Sequence, residues 1–268
     1  MKIKITADST CDLSAQLVQQ WGIALMPMHI LMGEQILLDG VTVHPADVFA
    51  HVQAGGKMST SAAANLVEYA EFFAPFSSEY DAVIHISVSS KLSSCYQNAC
   101  LAAGQYENVT VIDSQNICTG QGYLVLRAAQ WAAEGLEPAQ IAAQLEDLVP
   151  RIELSFVLDQ LEYMAKSGRC SGVLAFGANL LHIRPSLAVQ QGELKAGLQD
   201  AQGQAGEARA GAHVDEPLAP EVLPQGEQGG GVQKVQVGHL VGLGDGGEVH
   251  DLVLLCEKLG IAHQSGNA

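Results

Sequence analysis

Three apolar segments, residues 2 to 7 (KIKITA), 82 to 87 (AVIHIS) and 109 to 112 (VTVI), each run into a turn of Ser, Thr or Asp. Helical spacing follows each turn. In the first unit Ile3, Ile5 and Ala7 alternate, the chain breaks at Asp8-Ser9-Thr10, and Leu13, Leu17, Val18 and Trp21 then recur at helical intervals. Repeated strand, turn and helix leaves few folds open. Parallel strands need long crossovers, and helices supply them, so the pattern predicts an α/β domain with a largely parallel sheet flanked by helices.

The remaining elements fit between these units. Residues 23 to 31 and 35 to 43 are two further apolar runs, the second turning at Asp39-Gly40. Pro45 opens a short helix that ends near Gly55 and Gly56. Further helices are expected from about Ala62 to Phe73, from about Ser93, from about Thr119 to Ala133, and after Pro138. A strand over Glu153 to Leu158 opens a second domain, which divides the chain into residues 1–152 and 153–268.

Composition narrows the function. The net charge is −16, from 13 basic and 29 acidic residues, which argues against nucleic acid or an anionic membrane as a bulk partner. No apolar run approaches the length that crosses a bilayer, so no stable membrane insertion is expected. The start, MKIKITADST, lacks a signal peptide's apolar core. The cysteines are scattered with no C-x-x-C pair, so reduced thiols and a cytoplasmic location are expected.

The hydroxyl-rich turns repeat at one kind of position. Asp8-Ser9-Thr10, Ser59-Thr60-Ser61, Ser87 to Ser94 and Asp113-Ser114 sit where a strand ends or a helix begins. These residue types cap helices. They also line the carboxyl edge of an open α/β sheet, where ligands bind and helix N-termini favour anions.

Several chemistries are excluded by spacing. Gly56-Lys57 is followed by Met58, and the position five before Gly56 is His51, so the lysine loop is not a phosphate-binding P-loop. There is no G-x-S-x-G elbow and no H-E-x-x-H pair. His85 lies within an apolar strand and reads as a hydrogen-bonded structural histidine. What remains is a metal-free, hydroxyl-lined anion cradle, which points to binding. A small-molecule kinase or hydrolase using Asp8 or Asp113 as base is the alternative, and a non-functional remnant is another.

The ordered motifs ITADSTCDLS, LLDGVTVHPADVFAHV, STS at Ser59 to Ser61, SSKLSSCYQNA at Ser89 to Ala99, VTVIDS, LEYMAKSGR and HIRPSLAVQQGEL resemble the DegV family over residues 1–194. Its members include the fatty-acid-binding subunits of bacterial fatty acid kinase, which serve phospholipid synthesis. The resemblance implies a fatty acid whose carboxylate is held by Thr60 and Ser93, with Ser61 and Ser94 beside them and Asp8, Ser9 and Thr10 in support. It implies an acyl chain in an apolar tunnel between domains, presentation to a separate kinase catalytic subunit, and neither cofactor nor catalysis by the chain itself. Arg169 and Arg184 are assigned to structure or partner contact. Two departures stand out: Ala62, Ala63 and Ala64 follow the STS turn where the family often has proline, and Leu92-Ser93-Ser94-Cys95-Tyr96 replaces a Leu-Ser-Gly-Thr-Tyr form.

Beyond Leu194 the character changes. Residues 195–268 hold no Phe, Tyr, Trp, Met or Thr, and 15 of the 28 glycines. A buried α/β half-domain normally draws on aromatic and branched side chains. The second domain is therefore expected to be incomplete or aberrant, with a frameshift or a disordered tail as its origin, although residues 249–263 retain a helical pattern.

Overall fold

The computed structural model describes residues 1–157, 186–197 and 235–240. The chain begins with β1 (Ile3–Asp8), a 3-10 turn at Ser9–Cys11, α1 (Ala15–Gln20) and β2 (Ala24–Met26). Then come β3 (His29–Met32), β4 (Gln35–Leu38), α2 (Pro45–Gln53) and β5 (Thr60–Ala62). Next are α3 (Leu66–Glu79), β6 (Ala82–Ser87), α4 (Cys95–Ala103), β7 (Val109–Asp113), α5 (Cys118–Ala133) and α6 (Pro138–Leu148). Last are β8 (Ile152–Val157), β9 (Ser186–Gln190), β10 (Glu193–Gly197) and β11 (Val235–Leu240).

The parallel sheet expected from the sequence has the order β2-β1-β6-β7. Every residue of β6 is buried, as a strand covered on both faces requires. The pleat divides the work. Ile5, Ala7, Ile84 and Ile86 join Leu124, Val125, Ile141 and Leu145 of α5 and α6 in one core. Thr6, Asp8, His85 and Ser87 alternate with them along β1 and β6, so they face the opposite side, where Tyr69 and Phe73 of α3 pack.

One expected run divides in two, and one expected helix start is corrected. The apolar run of residues 23–31 is two strands in different sheets, β2 in the parallel sheet and β3 in the antiparallel order β4-β3-β5. Pro27, which has no N–H for a ladder, stands between them. The helix expected from Ala62 starts instead at Leu66, because Asn65 caps it: its Oδ1 accepts from the N–H groups of Val67 and Glu68 at 2.9 and 3.1 Å. Glu68 accepts in return from the Asn65 N–H at 2.7 Å. Thr60–Ala62 is consequently a strand, and α3 runs on past Pro75 to Glu79.

The second sheet has the order β10-β9-β8-β11. Its hairpin turns at Gln191-Gly192 with φ of 52° and 82°, the positive pair that a two-residue turn of the right twist needs. Leu154, Phe156, Leu187, Val189 and Leu194 are buried in the same apolar cluster as Tyr69, Phe73 and Cys95, so the two sheets share a core. Arg169, Arg184 and the helical pattern at 249–263 lie outside the described residues.

Candidate functional site

Asp8 ends β1 fully buried. Its Oδ1 accepts from the Tyr69 hydroxyl and contacts His85 Nε2 at 3.2 Å. Its Oδ2 accepts from Ser87 Oγ at 2.7 Å and from the Val88 N–H at 2.8 Å. The other ring nitrogen of His85 meets Thr6 Oγ1 at 3.0 Å. Burial pushes the Asp8 carboxyl up, but His85, Tyr69 and the Val88 N–H outweigh it and hold the group below its usual range. Both oxygens are engaged and none is exposed. Asp8 thus organises the strand ends and has no free face to offer a ligand as base.

Its neighbours are equally committed. Ser9 Oγ donates to Asp39 Oδ2 at 2.5 Å and accepts from the Met28 N–H at 3.1 Å, which ties the turn to the segment entering β3. Thr10 Oγ1 donates to Gln121 Oε1 at 2.6 Å, and Gln121 Nε2 donates to the Ile86 carbonyl at 3.0 Å. Gln121 and Tyr69 escaped the sequence analysis because neither lies in a hydroxyl-rich turn. Asp113, the other candidate base, accepts from the N–H groups of Ser90 and Gln115 at 3.1 and 3.0 Å.

The loop of residues 88–94 between β6 and α4 is where hydroxyls remain accessible. Ser93 Oγ accepts from the Cys95 N–H at 3.3 Å, just before α4, and donates to Cys95 Sγ at 3.1 Å. Ser94 is exposed. Both line a hollow of about 830 Å³ with Ser90, Lys91, Leu92, Tyr96, Gln97, Cys100 and Leu101. Ser89 Oγ donates to the Gly192 carbonyl at 2.7 Å, so the β9–β10 hairpin braces the start of the loop.

Thr60 is exposed and Ser61 half-buried on β5. Consecutive strand residues point to opposite faces, so Thr60 shares a face with its cross-strand neighbour Leu31, and Ser61 with the buried Ile30. Asn98 Nδ2 donates to the Ala64 carbonyl at 2.8 Å and ties α4 to the segment leaving β5. Thr60 and Ser93 are therefore carried on linked elements. Ser59 is buried with its hydroxyl unpartnered among the described residues.

Cys95 is the least expected member of the site. It is fully buried, its thiol donates to Met28 Sδ at 3.3 Å, and it lies against the Tyr69 hydroxyl. Burial, and then the Asp8 charge, push the thiol up to about 12, so it stays protonated at neutral pH. Among the described residues no group of three or more His, Cys, Asp or Glu is placed to hold a metal ion. No described helix is long and apolar enough to cross a membrane.

The model of the DegV family, a family of uncharacterised proteins, matches residues 2–206. A DegV domain-containing protein of Caldanaerobacter subterraneus subsp. tengcongensis is 34% identical over 196 residues, 72% of this chain and 70% of its own length. One from Deinococcus radiodurans is 32% identical over 198 residues, 74% of this chain and 70% of its own. Among solved structures, a fatty-acid-binding DegV family protein from Thermus thermophilus superposes with a TM-score of 0.68 at 31% identity, covering 74% of this chain and 71% of its own. DegV from Bacillus subtilis, a fatty acid binding protein, gives 0.65 at 25% identity, covering 73% and 70%. The chain belongs to the DegV family.

Proposed function

We propose that this protein binds a long-chain fatty acid and presents its carboxylate to a separate kinase subunit. The observation that carries the proposal is Ser93: a hydroxyl just before the N-terminus of α4, on a hollow lined both by serines (Ser90, Ser93 and Ser94) and by Leu92, Tyr96 and Leu101. A carboxylate is held there by neutral donors and the helix terminus. Thr60 supplies the second hydroxyl, Ser61 supports it from the other face of β5, and the exposed Ser94 lines the hollow beside Ser93. Asp8, Ser9 and Thr10 keep the strand ends in register behind them. An acyl chain contributes about 0.8 kcal/mol per methylene removed from water, so burial of the chain in an apolar tunnel would carry most of the affinity and the hydroxyls would set the head group's position.

Native mass spectrometry of the purified protein, followed by solvent extraction, tests this. The expected result is a co-purifying fatty acid that disappears in a Thr60→Ala, Ser93→Ala double variant of unchanged circular dichroism. Losing two hydrogen bonds to a charged group weakens binding by about a hundredfold or more. Retention of the lipid by the double variant would reject these two residues. A folded wild-type protein that stays empty when offered fatty acid would reject the function itself.

For the domain organisation we propose a boundary at residues 152 and 153, with coding that leaves the family frame after about residue 194. The composition of residues 195–268 supports this. The expected finding is a DegV-like ending in another reading frame of the gene, and its absence from every frame would overturn the idea.

A further inference from the structure

We infer that Cys95 sets how readily Ser93 can give its proton to a bound carboxylate, which makes it a positioning residue for the head group; this rests on the carboxylate assignment of Ser93 above. Ser93 has one proton and it is directed at Cys95 Sγ, at 3.1 Å. Its oxygen is meanwhile anchored by the Cys95 N–H at 3.3 Å. One residue thus fixes the Ser93 oxygen with its backbone and occupies the Ser93 proton with its side chain.

Sulfur is a weak acceptor, so that proton is loosely held. The sulfur cannot strengthen its hold by ionising, because burial among Met28, Tyr69 and Ala99 keeps the thiol neutral. Its own proton is turned away, towards Met28 Sδ at 3.3 Å. When a carboxylate arrives, Ser93 exchanges a weak acceptor for a charged one by rotating a hydroxyl, with no movement of its oxygen. An oxygen at the sulfur position would compete for the proton on better terms.

The test compares binding of palmitic acid and of hexadecanol to the full chain and to Cys95→Ser and Cys95→Ala variants, with a thermal melt of each. The two ligands share a tail and differ in charge, so the ratio of their affinities reads the head group alone. Cys95→Ser is expected to reduce the acid-to-alcohol ratio by about five- to tenfold, and Cys95→Ala to leave it unchanged or raise it. A cysteine that only filled space would give another order, with the truncated Ala variant impaired at least as much as the near-isosteric Ser variant, and for both ligands alike. An unchanged ratio in Cys95→Ser, beside a wild type that prefers the acid, overturns the inference and leaves the carboxylate site standing. A wild type with no preference for the acid overturns both.

Discussion

Replacing Asp8 by Ala is expected to lower stability by about 4–5 kcal/mol, a large part of what a domain has, and to lower Tm by about 10–15 °C. The substitution strands the Tyr69 and Ser87 hydroxyls, the Val88 N–H and a His85 ring nitrogen in a site without solvent. Each buried group left unpaired costs about 1–3 kcal/mol. Asp8→Asn should cost less, about 2–3 kcal/mol, because its amide N–H can face His85 once the ring takes its other tautomer and donates to Thr6. Differential scanning calorimetry orders the variants. Equal losses from Ala and Asn would mean that the charge matters and the pairing does not.

The same carboxylate fixes an acid limb. Its pKa is lower in the folded protein than in the unfolded chain, so its stabilisation is fully present above the unfolded value of about 3.9. It is lost as pH falls from there through the folded value. Wild-type stability should therefore drop below about pH 4, and Asp8→Asn should flatten that drop.

Gly122→Ala is expected to lower Tm by about 5–10 °C, although alanine is the better helix former. A Cβ on Gly122 would stand 2.4 Å from the Cys11 carbonyl oxygen and 3.2 Å from Leu13 Cδ2. That carbonyl belongs to the 3-10 turn held by Ser9 and Thr10, and it cannot retreat without breaking their bonds. α5 must move away from the turn instead. Gly104→Ala is the control: it ends α4 with an ordinary φ of −60°, and its Cβ would come no nearer than 3.5 Å to anything. A neutral Gly122→Ala would show that the turn yields more easily than its hydrogen bonds imply.

What the sequence disclosed follows from the range of the interactions involved. Alternation in β1 and β6 is a local signal, and it placed the parallel sheet correctly. The start of α3 was also locally encoded, in Asn65 and Glu68 three residues apart, but the alanines before it extended the apparent helix backwards. β5 had no comparable local signal: three residues become a strand only because β3, some thirty positions earlier, offers an edge. The hydroxyl turns were legible as a group, whereas their division of labour was not. Asp8 and Thr10 turn inward to partners 61 and 111 positions away, and only the fold brings those partners within reach.

The hairpin at Gln191-Gly192 makes the loop of residues 88–94 common property of two sheets. Ser89 is clasped by the Gly192 carbonyl, and a side chain in place of Gly192 would meet Ser89 Oγ at 2.6 Å. Four residues further along the same loop stands Ser93. Anything that orders the loop at one end makes ordering cheaper at the other, and thermodynamic reciprocity makes the effect equal in both directions. On the proposed assignment of Ser93, a head group there would steady the clasp, and an intact clasp would tighten the grip on the head group, so the two sheets would answer to the ligand as one body.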